Sequence, residues 1–443
     1  MTAEPSPPDP PHPWQTERRH VAVIGGGVIG LASAYRLAQA GLDVTVLERD
    51  EIGRGASWGN AGWIVPTLVH PFNAPGAATD AFRTFLRRGG YAALRQLPTP
   101  RLAAWGLSFL RHSGADRSDA SMRTLAAMAH DTAEATGRLA DELDFEVHRT
   151  GLLIPFRSQE ALEAYSSTQA RVEELGYAGR VEWLDARQLA AREPSLSDDL
   201  AGGLHLLDEL TVRPDSMTAA LARGFREAGG RLREHTPVTG LDDQPGGRWS
   251  VTTASGADLL VDAVVVAAGE HSARLLRKAG ARVLLQSGRG CSVTLPGTLS
   301  LNQAVKIAEV QVACSPFDSG EVRVSGTFDL VGKDAPTNRA RMQHVLDAAT
   351  PYLPGLAAID LDEHEVWSGA RPTTPDSVPV VGPVGRKPGL YAATGHGTLG
   401  MTLAAGTANT IDTHVRRLMR SRGVRTPRRE AGAISCRRAS DPA

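Results

Sequence analysis

The 443-residue chain is poor in cysteine and in lysine and has no long apolar run, and each shortage removes a class of protein. Its three cysteines, Cys291, Cys314 and Cys436, are odd in number and widely spaced, which excludes a disulfide scaffold and suits a reducing compartment. The best candidate for a membrane span, residues 259–268, is interrupted by Asp262 and falls short of the roughly 18 apolar residues a span needs. No His/Cys/carboxylate grouping has zinc spacing, and neither a G-x-S-x-G elbow nor a P-loop occurs, so no metal and no nucleophile chemistry are expected. Residues 1–13 hold six prolines and no apolar core, so residues 1–18 read as a disordered Pro-rich extension and not as a secretory signal.

Charge of one sign is also missing overall, since 48 basic and 49 acidic residues give −1. The balance is uneven along the chain, however. Residues 416–443 carry nine arginines against Glu430 and Asp441, so a +7 tail follows a body of −8. Only Lys278, Lys306, Lys333 and Lys387 are lysines, a bias that reads as coding preference. A terminal charge run reads first as a solvated, disordered tail, so no nucleic-acid partner is expected. A cytoplasmic location is expected, with contact to the inner face of a membrane as the tail's alternative use.

What is present starts at residue 20. Residues 20–24 (HVAVI) are a β-branched run, followed by Gly25, Gly26, Gly27, Val28, Ile29 and Gly30 and then by an Ala/Leu-rich helical stretch to Ala40. This order makes a phosphate cradle: Gly25 turns the chain off the strand, Gly27 lets the backbone approach a pyrophosphate, and Gly30 lets the helix pack on the sheet. Free amides at the helix N-terminus then face the negative charge. Residues 43–48 (DVTVLE) read as a second strand ending in Glu48. That carboxylate stands near the roughly 20-residue offset at which an acid meets the ribose hydroxyls and repels a 2′-phosphate.

Two later segments choose between dinucleotides. Residues 262–269 (DAVVVAAG) form a buried-type parallel strand ending at Ala268 and Gly269, and residues 231–238 read as a strand that brings Val238 to the adenine side. Residues 390–394 (LYAAT), the turn Gly395 to Gly400 (GHGTLG) and a helix over 401–418 repeat the strand, glycine turn and helix order. NAD needs only the first unit, whereas FAD laid across the sheet accounts for both, with the amides of His396 to Leu399 facing its ring.

In combination, Gly25 to Gly30 with Glu48, the loop SWGNAG with Ser57, Asn60, Ala61 and Gly62, the segment ARPTTPD with Arg371, Pro372, Thr374, Pro375 and Asp376, and the Gly395 to Gly400 turn resemble the FAD-dependent D-amino-acid oxidase superfamily. Within it the pattern is most similar to bacterial D-amino-acid dehydrogenases, including D-hydroxyproline dehydrogenase-type members, over about residues 19–412. The resemblance implies that Gly25, Gly27, Val28, Ile29 and Gly30 hold the pyrophosphate, with Glu48 and Arg49 on the ribose and Val238, Ala268 and Gly269 nearby. It places Ser57, Asn60, Ala61, Gly62, Gly395, Gly397, Thr398, Leu399 and Gly400 along the isoalloxazine ring. Gly369 stands where covalent relatives attach FAD through cysteine, so non-covalent FAD is implied.

Arg371 matches the arginine that pairs with the substrate carboxylate in such enzymes. Its residue type supports the same role, because a planar guanidinium gives two parallel hydrogen bonds and Pro372 biases it to an extended backbone. His396 is the second catalytic position, contributing its backbone or accepting a proton. The implied reaction is hydride transfer from Cα–H to flavin N5, with hydrolysis of the imino acid to a 2-oxo acid and ammonia. A neutral amine must assist, so the rate should rise with pH.

The expected fold is α/β: a discontinuous Rossmann-like FAD-binding domain from residues 19–80, 184–275 and 363–415, with an inserted substrate domain of mainly antiparallel sheet plus helices from 81–183 and 276–362, and a disordered basic tail over 416–443. The partners are a small amino-acid substrate and an acceptor that is a respiratory quinone, an electron carrier or O₂. Two alternatives stand beside this: a glycine or sarcosine-type oxidase using O₂, and a non-catalytic flavin-binding protein that kept the fold.

Overall fold

A computed structural model describes residues 19–73, 92–95, 99–174, 179–297, 299–331 and 337–422; the expectations for 1–18 and 423–443 lie outside the described residues. The apolar run at the start forms strand His20–Ile24, which lies between Asp43–Leu47 and Ala263–Val266 in a six-stranded sheet. Arg231–Arg233 and Leu390–Thr394 extend the parallel part on either side, and Val380–Pro383 closes one edge antiparallel. The first five parallel strands thus follow the spatial order third, second, first, fourth, fifth, so that crossovers wind in both directions from the first strand.

Both faces of this sheet are covered, which is why its strands read as continuous Val/Ile/Leu. On one face the helices Val28–Gln39, Pro214–Glu227 and Ala404–Ser421 pack Leu31, Leu37, Met217, Phe225, Ile411 and Met419 against Val21, Val23, Val44 and Val46. On the other, an antiparallel meander of Val238–Gln244, Arg248–Thr253 and Asp258–Val261 brings Trp249 against Ala22, Val264 and Val266. The indole donates to Pro388 O at 3.0 Å, which satisfies its one polar atom inside the core.

The second large element is a nine-stranded, mostly antiparallel sheet. Gln286–Pro296, Glu321–Val331, Val312–Pro316 and Ala304–Ile307 lie side by side, continued by Leu152–Phe156, Gly202–Leu206 and Val181–Asp185. Val366–Thr373 forms its other edge, paired antiparallel with Gln286–Pro296 from Gln286↔Thr373 to Val293↔Val366. Segments 184–275 and 363–415, expected wholly in the cofactor part, therefore both supply strands to the second sheet. The reason is physical: Val366 packs into the core that this sheet shares with helix Arg339–Ala349, and strand patterning alone does not name a strand's partner.

Two boundaries also move. The last helix starts at Ala404, after a turn, and runs on to Ser421 because Ile411, Val415 and Met419 keep an i, i+4, i+8 buried stripe. Residues 416–422 are consequently ordered helix end and not disordered tail; Arg422 donates to Gly247 O at 2.8 Å and to Asp262 O at 3.1 Å. Among the described residues no helix is long and apolar enough to cross a membrane.

Asp329 on the second sheet is ion-paired with Arg341 on the helix packed against it, joined by bonds of 2.8 and 2.7 Å with both side chains under a tenth exposed. Removing one partner strands the other charge, so Arg341→Met should lower stability by about 3–5 kcal/mol, whereas the double change to Asp329→Leu with Arg341→Met should recover most of it. Urea unfolding of the three proteins reads this; equal losses in the single and double variants would contradict it.

Candidate active site

The C-terminal ends of the parallel strands open onto a cavity of about 450 Å³ whose opposite wall is the edge of the second sheet. At its first end stand Gly25, Gly27, Val28, Ile29, Glu48 and Arg49. The glycines are dictated by contacts. Gly25 has φ 112°, and a Cβ on Gly30 would collide with the Gly25 carbonyl, so the helix sits against the turn. A Cβ on Gly27 would meet only Ser57 Oγ at 3.4 Å, which leaves that side open to the cavity.

Gly27, the N-cap of helix Val28–Gln39, has no side chain to cap it, the first turn holds no acid, and this end faces the cavity; Val28 N is taken by Ser57 Oγ at 3.1 Å. A 12-residue helix end with a glycine cap and no acid suits an anionic ligand, as a diphosphate requires. Glu48 is held for contact at the rim: its carboxylate accepts from Gly26 N at 2.6 Å and from Asp50 N at 2.9 Å. Arg49 bonds His271 Nε2 at 2.8 Å. Val238, Ala268 and Gly269 line the same wall. These residues fit a dinucleotide.

At the other end Arg371, Gly369 and Trp367 enter from the edge strand. Arg371 Nη1 donates to Thr327 O at 2.6 Å, and its guanidinium covers Gly290, where any side chain would collide with it. Thr327 is presented by a bulge: Arg289 pairs with Asp329 and Cys291 with Gly326, so one extra residue on Glu321–Val331 bends the ladder. Among the described residues no carboxylate is ion-paired to Arg371, and burial pulls its pKa below the usual guanidinium value. A part-buried cation open to a cavity and without an ion-paired acid is a site for an anion.

His396 and Gly397 line the cavity between the two ends, together with Gly400. His396 Nε2 is 2.9 Å from Thr407 Oγ1, and full burial lowers the ring's pKa to about 3, so the imidazole is neutral over the physiological range. Gly397 N donates to Pro372 O and Leu399 N to His396 O, both at 2.8 Å, so two of the four amides expected to face a ring already have acceptors.

Ser57 and Asn60 also reach the cavity, whereas Gly30, Ala61, Gly62, Gly395, Thr398 and Leu399 do not. Gly62 closes the small sheet of Trp63–Ile64 with Leu210–Val212, and Leu399 is core. Residues that the motifs did not suggest are present too. Arg54 stacks on Trp58, its guanidinium carbon 3.6 Å from the ring centroid, and Trp367 lies flat between Gly59 and Gly369, where a Cβ on either glycine would strike the indole. Gly59 within SWGNAG was the visible signal for that approach.

Residues 20–412 match the family model described as FAD dependent oxidoreductase (DAO). The chain belongs to this family. Like other members of it, the protein is an FAD-dependent oxidoreductase. A D-amino acid dehydrogenase of Cereibacter sphaeroides is 34% identical to it over 414 residues, covering 88% of this chain and 90% of the relative. One from Rhodopseudomonas palustris is 31% identical over 428 residues, covering 94% and 99%. Among solved structures, a glycine oxidase from Geobacillus kaustophilus superposes with a TM-score of 0.67 at 23% identity, covering 90% of this chain and 95% of that one.

His396 and His70, the latter lowered to about 4 by burial, are both neutral when folded. Unfolding exposes them to an ordinary value of about 6.5, so the unfolded chain binds protons first and stability falls as pH drops from about 6.5 toward 3. The urea midpoint should decline over pH 6.5 to 4, less steeply in His70→Gln and His396→Gln; identical slopes in wild type and variants would exclude the two rings as the source.

Proposed function

We propose that this FAD-dependent enzyme oxidises a D-amino acid, or a D-proline- or hydroxyproline-like imino acid, and that Arg371 holds the substrate carboxylate. The observation that carries the reading is the part-buried guanidinium of Arg371, which has no ion-paired carboxylate among the described residues and faces the cavity that the glycine cradle shares. The relatives named D-amino acid dehydrogenase support the substrate class.

Bound FAD would supply the acceptor for the hydride leaving Cα; water would then convert the imine of a primary amino acid to a 2-oxo acid and ammonia, whereas the cyclic imine of a proline-like substrate would keep its nitrogen. The chain's part is placement. The Thr327 carbonyl takes one Nη1 hydrogen of Arg371 and turns the rest of the guanidinium to the cavity, where two parallel donors fix a carboxylate in plane and azimuth. Trp367 lines the same cavity, its indole packed against the Gly59 backbone. A ring with a pKa near 3 is no base at neutral pH, so His396 contributes backbone and shape, and the substrate amine must arrive deprotonated.

Gly25, Gly27, Val28 and Ile29 are proposed for the diphosphate, with Gly30 letting the helix pack against the turn, Glu48 and Arg49 for the ribose, and Ser57, Asn60, His396, Gly397 and Gly400 for the ring. FAD is held without a covalent bond: among the described residues Cys291 and Cys314 are buried, and Gly369 has no room for a side chain beside Trp367. Acid precipitation should therefore release all of the flavin into the supernatant; colour retained in the pellet would refute this.

Anaerobic reduction of the holoenzyme by a panel of D-amino acids, glycine, sarcosine and hydroxyproline isomers tests the reaction. Bleaching by D-isomers that steepens with rising pH is expected, and bleaching only by an amine without a carboxylate would overturn the role of Arg371. Arg371→Met should lower kcat/KM roughly 100- to 1000-fold with flavin content unchanged. Peroxide formed with air as sole acceptor would move the reading to an oxidase. For a membrane acceptor the arginines from 416 onward are the contact we propose, tested by binding to anionic vesicles after deletion of residues 423–443.

A further inference from the structure

The loop after the glycine cradle reaches the cavity through Ser57 and Asn60, yet its carbonyls face the other way. Four in succession are taken by side chains of the second sheet. Arg323 Nη1 donates to Trp58 O and to Asn60 O, each at 3.0 Å. Ser292 Oγ donates to Gly59 O at 2.9 Å, and Ser315 Oγ to Ala61 O at 2.7 Å. The three side chains come from three adjacent strands, and Ser315 and Arg323 are register partners, so they form one polar row on one face. All three are nearly or fully buried, at 5%, 2% and 0% exposure.

Arg323 anchors the row. Its Nε donates to Thr294 Oγ1 at 3.1 Å, its cross-strand neighbour, and its guanidinium carbon lies 5.1 Å from the centroid of Phe317. A guanidinium is suited to this because the two hydrogens of Nη1 meet two carbonyls of one loop while Nε, held in the same plane, anchors the group to Thr294. On its other side the loop holds the cofactor helix: Ser57 Oγ accepts from Val28 N at 3.1 Å. The loop is thus tied to the sheet that carries Arg371 by its carbonyls and to the first amide of the helix by one hydroxyl.

We propose that Arg323 is a positioning residue for the flavin: by seizing the loop's carbonyls it sets the cavity face of residues 57–60 against bound FAD and fixes the spacing between cofactor and substrate sheet. The proposal rests on FAD binding and not on the identity of the amino-acid substrate, so its readouts need no turnover.

The test uses holoenzyme carrying Arg323→Met, Arg323→Lys, or Ser292→Ala with Ser315→Ala. Arg323→Met should raise the FAD dissociation constant about 10- to 100-fold, the scale of lost charge-assisted bonds, and change the visible circular dichroism of the flavin band. Arg323→Lys, which keeps a donor for both carbonyls, should restore part of each. The double serine variant should shift both in the same direction by a smaller factor, and it carries the test should Arg323→Met fail to fold. If the variants melt earlier yet hold FAD with wild-type affinity and an unchanged flavin band, Arg323 is a structural residue only and the proposal falls. Failure of every D-amino acid to bleach the flavin, with these shifts intact, would count against the proposed substrate and leave this assignment standing.

Discussion

The antiparallel ladder between Gln286–Pro296 and Val366–Thr373 is the constraint from which the site follows. Its eight register pairs deliver Arg371 to the cavity mouth, and immediately beyond it Thr373 bridges to His396 while Gly397 N bonds Pro372 O. A single continuous stretch of backbone is therefore shared by the two sheets. Because a strand slipped by one residue would turn Arg371 to the opposite face, the ladder's register is also the enzyme's substrate geometry.

Charge is managed without a direct acid partner at the two places where the sheets meet. Among the described residues Arg371 and Arg323 hydrogen-bond to carbonyls and a hydroxyl and make no ion pair, although Asp329 acts on the first and Asp215 and Glu321 on the second at longer range; burial lowers the pKa of Arg323 to about 10, which still leaves it charged at neutral pH. Asp329, the closest acid along the bulged strand, is already claimed by Arg341. Carbonyl dipoles orient a guanidinium without neutralising it, so the cavity keeps a net attraction for an incoming carboxylate.

How much could be read in advance depended on whether a motif was local. The cradle from Gly25 to Gly30, Glu48 at its strand end and the 390–394 strand all declared themselves because sequence neighbours are also spatial neighbours there. The partner of Val366–Thr373 did not, since nothing in an extended stretch names the strand 80 residues earlier that it joins. The same limit hid Arg323 among 44 arginines: its targets, Trp58 and Asn60, lie more than 260 positions away. Gly395, Thr398 and Leu399 illustrate the opposite case. They belong to a recognisable turn, but the chain there folds back on itself before the helix at Ala404, and part of the motif serves the turn's own packing.

Trp367 sits with Gly59 against one part of its ring and Gly369 against another. The three positions are therefore coupled: a side chain placed at 59 or at 369 fits only if the indole moves, so a change at either glycine is felt at the other through the ring they share.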